Sequence, residues 1–437
     1  MRDSLGLELT GATSAALEHY ERSLHELQCF IGDPVGSVEQ AIAAAPGFVM
    51  AHVLKGYLYG LATEREATAA AAETCATAQK LGGTSRETAH VAALGKLVAG
   101  GWHEAGATLE DISIAYPRDA LALQAGHQID FFTGNARMLR DRIARALPEW
   151  SEGMPGHHAL LGMHAFGLEE TGDYARAEAA GRRAVEIEPR DGWAQHAVAH
   201  VMEMQSRQKD GIRWMREESD AWTKESFLQI HNWWHLALFH YDLGETDEVL
   251  TLFDGPIYGA RSPLALNMVD ASAILWRLWL GGTDVGERWR AVAENWAAKG
   301  ATNYAFNDAH AMMAFVGAGL SGSAETLVDA QHQAIDAGGD NAAFTRDVGH
   351  PVTLAIKAFG DGNYSETVRL LKPIRGIAHR FGGSHAQRDF IDLTLIEAAL
   401  RAGDVALSRA LAAERFHVRP ASPLSRLFVE RVGPNPS

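Results

Sequence analysis

The sequence predicts an all-α protein: a tetratricopeptide-type solenoid of tandem helical hairpins, curled into a superhelix around a central groove or cavity. Three observations point there. Long helix-period stretches are broken by short Gly, Asp and Pro punctuation. The Val/Ile/Thr alternation of half-buried strands is nearly absent. Small residues, a turn glycine, an aromatic and a closing proline recur at the 34-residue spacing of tetratricopeptide repeats. One repeat cannot bury its own apolar face, so such hairpins must stack.

Residues 86–119 form one copy, with Ala93, Gly100, Trp102, Ala105 and Pro117 at positions 8, 15, 17, 20 and 32. Residues 158–191 form another, with Ala165, Gly172, Tyr174, Ala177, Ala184 and Pro189 at 8, 15, 17, 20, 27 and 32. A weaker copy starts at Asp389, with Gly403, Ser408 and Pro420. Partial copies place turns at Gly134, Gly244, Gly322 and Gly362. The small residues let two helices touch, and Gly and Pro close the turns between them. No Pro/Gly/Ser-rich linker interrupts the chain. The reading is therefore a single solenoid over 1–437, with N-terminal repeats at 1–150, site-bearing repeats at 151–330, and C-terminal repeats and a cap at 331–437. The tail after Pro420 reads as partly disordered or capping, PNPS especially.

The net charge is −16 and no Lys/Arg-rich run occurs, which argues against nucleic acid or an anionic membrane as partner. No stretch approaches the roughly 20 apolar residues of a membrane span. The two cysteines, Cys29 and Cys75, form neither a CxxC motif nor a disulfide framework. The start MRDSLGLELTGATSAALEHYERSL carries acids where a signal peptide would be apolar. A reduced, cytoplasmic protein is the expectation.

The middle segment is different in kind. Nine of the eleven tryptophans fall between Trp193 and Trp296, far more than plain repeat helices need, and core packing accounts for most of them. The sharpest motif is Trp193-x-x-His196-x-x-x-His200-x-x-Glu203, whose spacings of 3, 4 and 3 put all four side chains on one helical face. Counted on from Pro189, they take repeat positions 2, 5, 9 and 12, which line the concave groove of tetratricopeptide solenoids, while Ala199 and Met202 take core positions. Two histidines and a glutamate on one face suit acid–base chemistry or a divalent metal held by His196, His200 and Glu203. The bland alternative is a solvated, peptide-binding groove.

Flanking segments add candidates. The preceding hairpin offers His157, His158, His164, Glu169 and Glu170, of which Glu169 shares groove position 12 and His164 takes a core position. The following hairpin, QIHNWWHLALFHYD, offers His231, Trp233, Trp234 and His235, with His240 near a core position. Asp270 is an acid in an otherwise apolar helix; it is either a structural ion pair with Arg277, seven residues on, or a site residue. Asn307, Asp308 and His310 sit at a helix start, where Asn and Asp serve as caps and Asp308 would otherwise orient the His310 imidazole.

The segments HHALLGMHAFGLEETGDY, WAQHAVAHVMEMQSR, HNWWHLALFHYDLGETD, VDASAILWRL, GERW and AFNDAHAMMAF together resemble the tetratricopeptide repeat protein 38 family, including its bacterial members. The resemblance covers roughly residues 100–330. It implies a helical-repeat fold and hands over no reaction. One departure is Ser206, where the family pattern has a turn glycine; the exchange is harmless if that turn avoids the left-handed conformation.

Two functions follow. The first is an enzyme acting on a small molecule by hydrolysis, elimination or isomerisation. His196, His200, Glu203, His231, Asp270 and His310 would do the chemistry, and Trp193, Glu169, Trp233, Trp234, His235, Asn307 and Asp308 would bind substrate. A divalent metal is the one cofactor this set suits. No phosphate-cradling loop, dinucleotide fingerprint or nucleophile elbow occurs, so no nucleotide cofactor is expected. The second is a scaffold that binds a peptide or protein segment in its groove. Self-association into a homo-oligomer is compatible with either.

Overall fold

Helix-period sequence with Ala at the contact positions builds helical hairpins. The computed structural model describes residues 1–300 and 303–433. Among them no β-strand forms, and two isolated bridges pair Arg2 with Glu8 and Ile31 with Ser226. No described helix is long and apolar enough to cross a membrane. The chain divides into two compact units, Met1–Val198 with Glu218–Gln229, and Ala199–Glu217 with Ile230–Ser437.

In the first unit Val49–Gly60 packs with Arg65–Leu81, Ser85–Val98 with Trp102–Ala115, and His157–Glu169 with Tyr174–Ile187. Ala93, Ala105, Ala165 and Ala177 are wholly buried, as close helix contact requires. The repeat register also explains a recurring clasp. Position 34 is Asp119 in the copy 86–119 and Asp191 in the copy 158–191. Each accepts the backbone N–H of the residue three further on, Ala122 or Ala194, at 2.9 Å, satisfying an orphan donor of the following helix. Its second oxygen grips position 1 of its own repeat. Arg86 donates to Asp119 at 2.6 Å, joined by His90 at 3.0 Å, and His158 Nδ1 lies 2.8 Å from Asp191. The third copy ends on Ser422, whose hydroxyl accepts the Ser425 N–H at 3.0 Å.

The core of the first unit is aromatic. Trp193 lies 4.9 Å from Phe166 and 4.8 Å from His196, ring centre to ring centre, and stacks on Phe30 at 5.4 Å. Gly167, in the same helix as Phe166, meets the Leu139 carbonyl and the Arg140 N–H so closely that an added Cβ would sit 2.5 Å from backbone. Backbone cannot swing aside as a side chain can. Gly→Ala inside a helix ordinarily stabilises by about 1 kcal/mol. Here Gly167→Ala is expected to destabilise by about 1–3 kcal/mol through overpacking; a denaturation midpoint equal to or above the parent's would refute the contact.

In the second unit the helices Gln229–Asp242, Ala265–Leu280, Ala305–Ala318, His350–Gly360 and His385–Arg401 surround a core holding Trp234, Trp276 and Phe359. Trp222 of the first unit and Trp234, Trp276, Trp289 and Trp296 of the second are all buried, so the tryptophan excess is largely core packing. Buried indoles need acceptors: Trp276 donates to Thr394 at 2.9 Å and Trp296 to Ser272 at 3.0 Å. Gly134, Gly244, Gly362 and Gly403 sit at turns with positive φ, as the register requires. Gly322 does not; it lies inside the helix Ser321–Ala337, and the turn falls on Gly319 (φ 70°). The tail forms the helix Pro423–Arg431, and PNPS lies outside the described residues.

Ser206 adopts φ 54°, and Arg207 N–H closes the turn on the Met202 carbonyl at 2.8 Å. The turn is therefore left-handed, and serine there is strained by about 1 kcal/mol relative to glycine. The condition for a harmless exchange is therefore not met. Ser206→Gly is expected to stabilise the second unit by roughly that amount, read as a raised denaturation midpoint; a lowered midpoint would contradict the strain.

Candidate functional site

The helix Gly192–Met204 carries the four-residue stripe that the sequence singled out. The stripe is on one face, but the open groove expected there is not what these residues see. Trp193 and His196 belong to the aromatic core of the first unit, where His196 also stacks on Phe166 at 5.5 Å. Trp193 thus walls a core and not a substrate. Glu169, at the end of His157–Glu169, is wholly buried in the same unit.

The second unit brings together His200, Glu203, His231, Trp234, His235 and Asp270. His231 Nδ1 lies 2.9 and 3.0 Å from the two oxygens of Asp270. A carboxylate only accepts, so Nδ1 donates and the lone pair of His231 sits on Nε2. His235 Nδ1 lies 3.2 Å from Glu203 Oε2. The His200 and His235 rings approach to 4.4 Å, those of His231 and His235 to 4.9 Å, and one ring nitrogen from each of the three histidines falls within 4.8 Å of the others. Imidazoles tethered by a carboxylate through one nitrogen are the arrangement of histidine metal ligands. Burial pushes the His200 and His235 imidazoles well below the usual histidine range, with the neighbouring histidines adding to it, so both are neutral, as ligation demands. Burial also pushes the Glu203 carboxyl up to about 7, with Arg419 and Arg277 opposing.

Several expected roles change. Of the expected metal set His196, His200 and Glu203, the glutamate drops out. Residues seven apart on one helix are separated by about 10 Å along its axis, too far to share an ion, and Glu203 instead faces the His235 ring. Asp270 is paired with His231 and not with Arg277. The Arg277 guanidinium donates to the Ala273 and Ala386 carbonyls at 3.0 and 2.7 Å and lies 5.3 Å over the Trp234 ring. Trp234 is fully buried and stacks on His231 at 5.3 Å, so it backs the imidazole and is not a substrate wall; Trp233 is half-buried. His310 stands apart: its Nδ1 donates to the Phe306 carbonyl at 2.8 Å, and its ring meets Phe390 at 5.2 Å. Asp308 does not orient it, because residues two apart face different sides of a helix; Gln331 lies 3.5 Å from Asp308. Neither Asn307 nor Asp308 caps the helix. It starts after Tyr304, and Asn341 accepts the Ala305 N–H at 2.9 Å. His164 and His240 are buried, as their core positions require.

Sequence reasoning missed the C-terminal contribution. A cavity of about 600 Å³ is walled by Met204, His385, Arg388, Asp389, Arg415 and Arg419 among others. Arg415 clamps Asp389 through two bonds of 2.7 and 2.9 Å, and that pairing holds the Asp389 carboxyl well below the usual carboxylate range. Arg419 lies 3.9 Å from Glu203. A small void of about 20 Å³, room for one water, is lined by Glu203, Arg277 and the same Asp389, Arg415 and Arg419, and so joins the carboxylate to the cavity wall. The charges of His385 and Arg388 also reach His200. The signal was present at Asp389, which opens the third repeat copy at the position where Arg86 and His158 make ion pairs.

No family model matches the chain. One solved structure to which it is similar is described as the structure of Naa15/Naa10 bound to HypK-THB. That match has 11% identity and a TM-score of 0.27, over 95% of this chain and 64% of the other. The chain thus spans less than two thirds of the length of that neighbour, and a likeness of this degree assigns neither partner nor activity.

Proposed function

We propose that the second unit is a metal-assisted enzyme site acting on a small anionic molecule. The observation that carries this reading is the convergence of His200, His231 and His235 within 4.8 Å, with Asp270 and Glu203 holding the outer nitrogens of two of them. Three converging imidazoles suit zinc and its neighbours. Such an ion, when bound, supplies Lewis acidity and a water of lowered pKa. His231 is the most open of the three, with 15% of its side chain exposed, and its Asp270 partner fixes the tautomer. The cavity supplies the substrate class. Arg375, Arg388, Arg415 and Arg419 line it; Arg375 pairs with Asp392 and Glu414 and Arg415 with Asp389, and the guanidinium left in surplus over the acids favours an anionic ligand. Hydrolysis, elimination and isomerisation are the reactions this equipment serves.

The scaffold reading has less support, since a peptide along the groove positions needs them open, and His200 is fully buried. The segments that resemble the tetratricopeptide repeat protein 38 family include the helices bearing these histidines, and we propose membership on that ground. Metal analysis of protein purified without chelators tests the function: retained zinc-class metal that is lost on substituting His231 is the expected result. A protein that holds no divalent ion through His231, even when supplied with one, would sink the proposal.

A further inference from the structure

We propose a metal site in the first unit, formed by His25, Cys29 and His158, that takes a zinc-class ion through one thiolate and two imidazoles. His25 and Cys29 stand one turn apart on the helix Ser14–Cys29, so their side chains project together. The Cys29 sulfur lies 3.8 Å from His25 Nε2. Ligands on a tetrahedral zinc stand about 3.6 Å apart for a sulfur and a nitrogen, from the usual bond lengths. The His158 ring meets the His25 ring at 5.7 Å, and one ligand atom from each of the three residues falls within 4.8 Å of the others.

The repeat register shows why His158 is available. Position 1 of the copy 86–119 is Arg86, whose guanidinium clasps Asp119. In the copy 158–191 the same clasp is made by an imidazole: Asp191, wholly buried, accepts from His158 Nδ1 at 2.8 Å. An imidazole has a second nitrogen that the clasp does not use. His158 Nε2 is buried and has no hydrogen-bond partner. Asp191 thus serves as the outer carboxylate that orients a histidine ligand, as such carboxylates do in metal sites. Glu188, whose carboxylate lies 3.7 Å from His25 Nε2, stands ready as a neighbouring anion. Arg190, half exposed at 3.4 Å from that nitrogen, must turn outward when His25 ligates.

Burial pushes the Cys29 thiol well above its usual range and the His25 imidazole below its own. Binding therefore exchanges the thiol proton for the ion: the S–H bond breaks, a sulfur–metal bond forms, and one proton leaves to solvent. No oxidant or reductant is involved.

Cobalt(II) titration of the chelator-treated full chain separates this site from the all-histidine site of the second unit, because only a thiolate gives a sulfur-to-cobalt charge-transfer band. One equivalent with that band is expected, absent from Cys29→Ser and retained in Cys75→Ser and His231→Ala. No band in the parent protein, or a band that persists in Cys29→Ser, would overturn the site. Should Cys29→Ser fail to fold by circular dichroism, His25→Ala on a partly exposed side chain decides. A tenfold or greater loss of affinity supports the site, and unchanged affinity refutes it. Asp191→Asn is expected to weaken binding roughly 10- to 100-fold.

Discussion

His231→Ala is expected to abolish tight divalent-metal binding by the second unit, and Asp270→Asn to weaken it roughly 10- to 100-fold. The two effects differ because they remove different things. Alanine deletes a ligand. Asparagine leaves the ligand in place, but its amide donates where the carboxylate only accepted, so the His231 ring turns or changes tautomer. His231 is the best of the three to mutate, since its side chain is partly exposed and His200 and His235 are fully buried. His200→Ala would empty a packed position, so lost stability would be confused with lost function. Calorimetric metal titration gives the affinities, and thermal melting without metal gives the control. Metal affinity unchanged in His231→Ala, with folding intact, would remove His231 from the site and the function with it.

A second large effect is expected in acid. Burial depresses His127 in the first unit and His310 in the second to about 3. Arg142 adds to this at His127 and Arg277 at His310, where the bond to the Phe306 carbonyl opposes it. Both imidazoles are neutral when folded and titrate near 6.5 when unfolded. The unfolded chain therefore takes up protons first as pH falls. The stability each neutral ring contributes is fully present above 6.5 and is lost progressively toward 3. Between pH 7 and pH 5 each ring accounts for about 2 kcal/mol, from about 1.4 kcal/mol per unit over roughly 1.5 units. Urea denaturation at the two pH values measures it. His310→Gln should remove that share of the pH dependence from the second unit and His127→Gln from the first; variants as acid-sensitive as the parent would show that other groups govern.

Much of this was legible in the sequence, and the limits have physical reasons. A 34-residue period is local information. Ala93, Ala165 and Ala177 at contact positions, and Gly100 and Gly172 at turns, could be read directly. The single-face stripe from Trp193 to Glu203 was legible because helical spacing fixes it. What each face meets was not. Pairing His231 with Asp270 crosses 39 residues and two helices, and the nearer Arg277 shares the face of Asp270 without touching it. The cost of Ser206 stayed open in the sequence because φ at a turn depends on how the next helix leaves it. The His25–Cys29 spacing was plain in HELQC, but its third member, His158, lies 129 residues farther along the chain. Its meaning appears only when folding sets Asp191 behind that histidine.

The clasp at repeat position 34 bears on how such a chain can be cut and rejoined. Asp119 and Asp191 each finish one repeat and cap the helix that follows, so these two repeats end on buried aspartates and not on loops. A duplication or deletion with joints at these residues carries every grip along intact. A joint placed in the more exposed turn at Gly100 or Gly172 would separate Arg86 from Asp119, or His158 from Asp191, and leave a buried charge or imidazole facing nothing. The safest splice sites in this solenoid are therefore the buried ends of its modules.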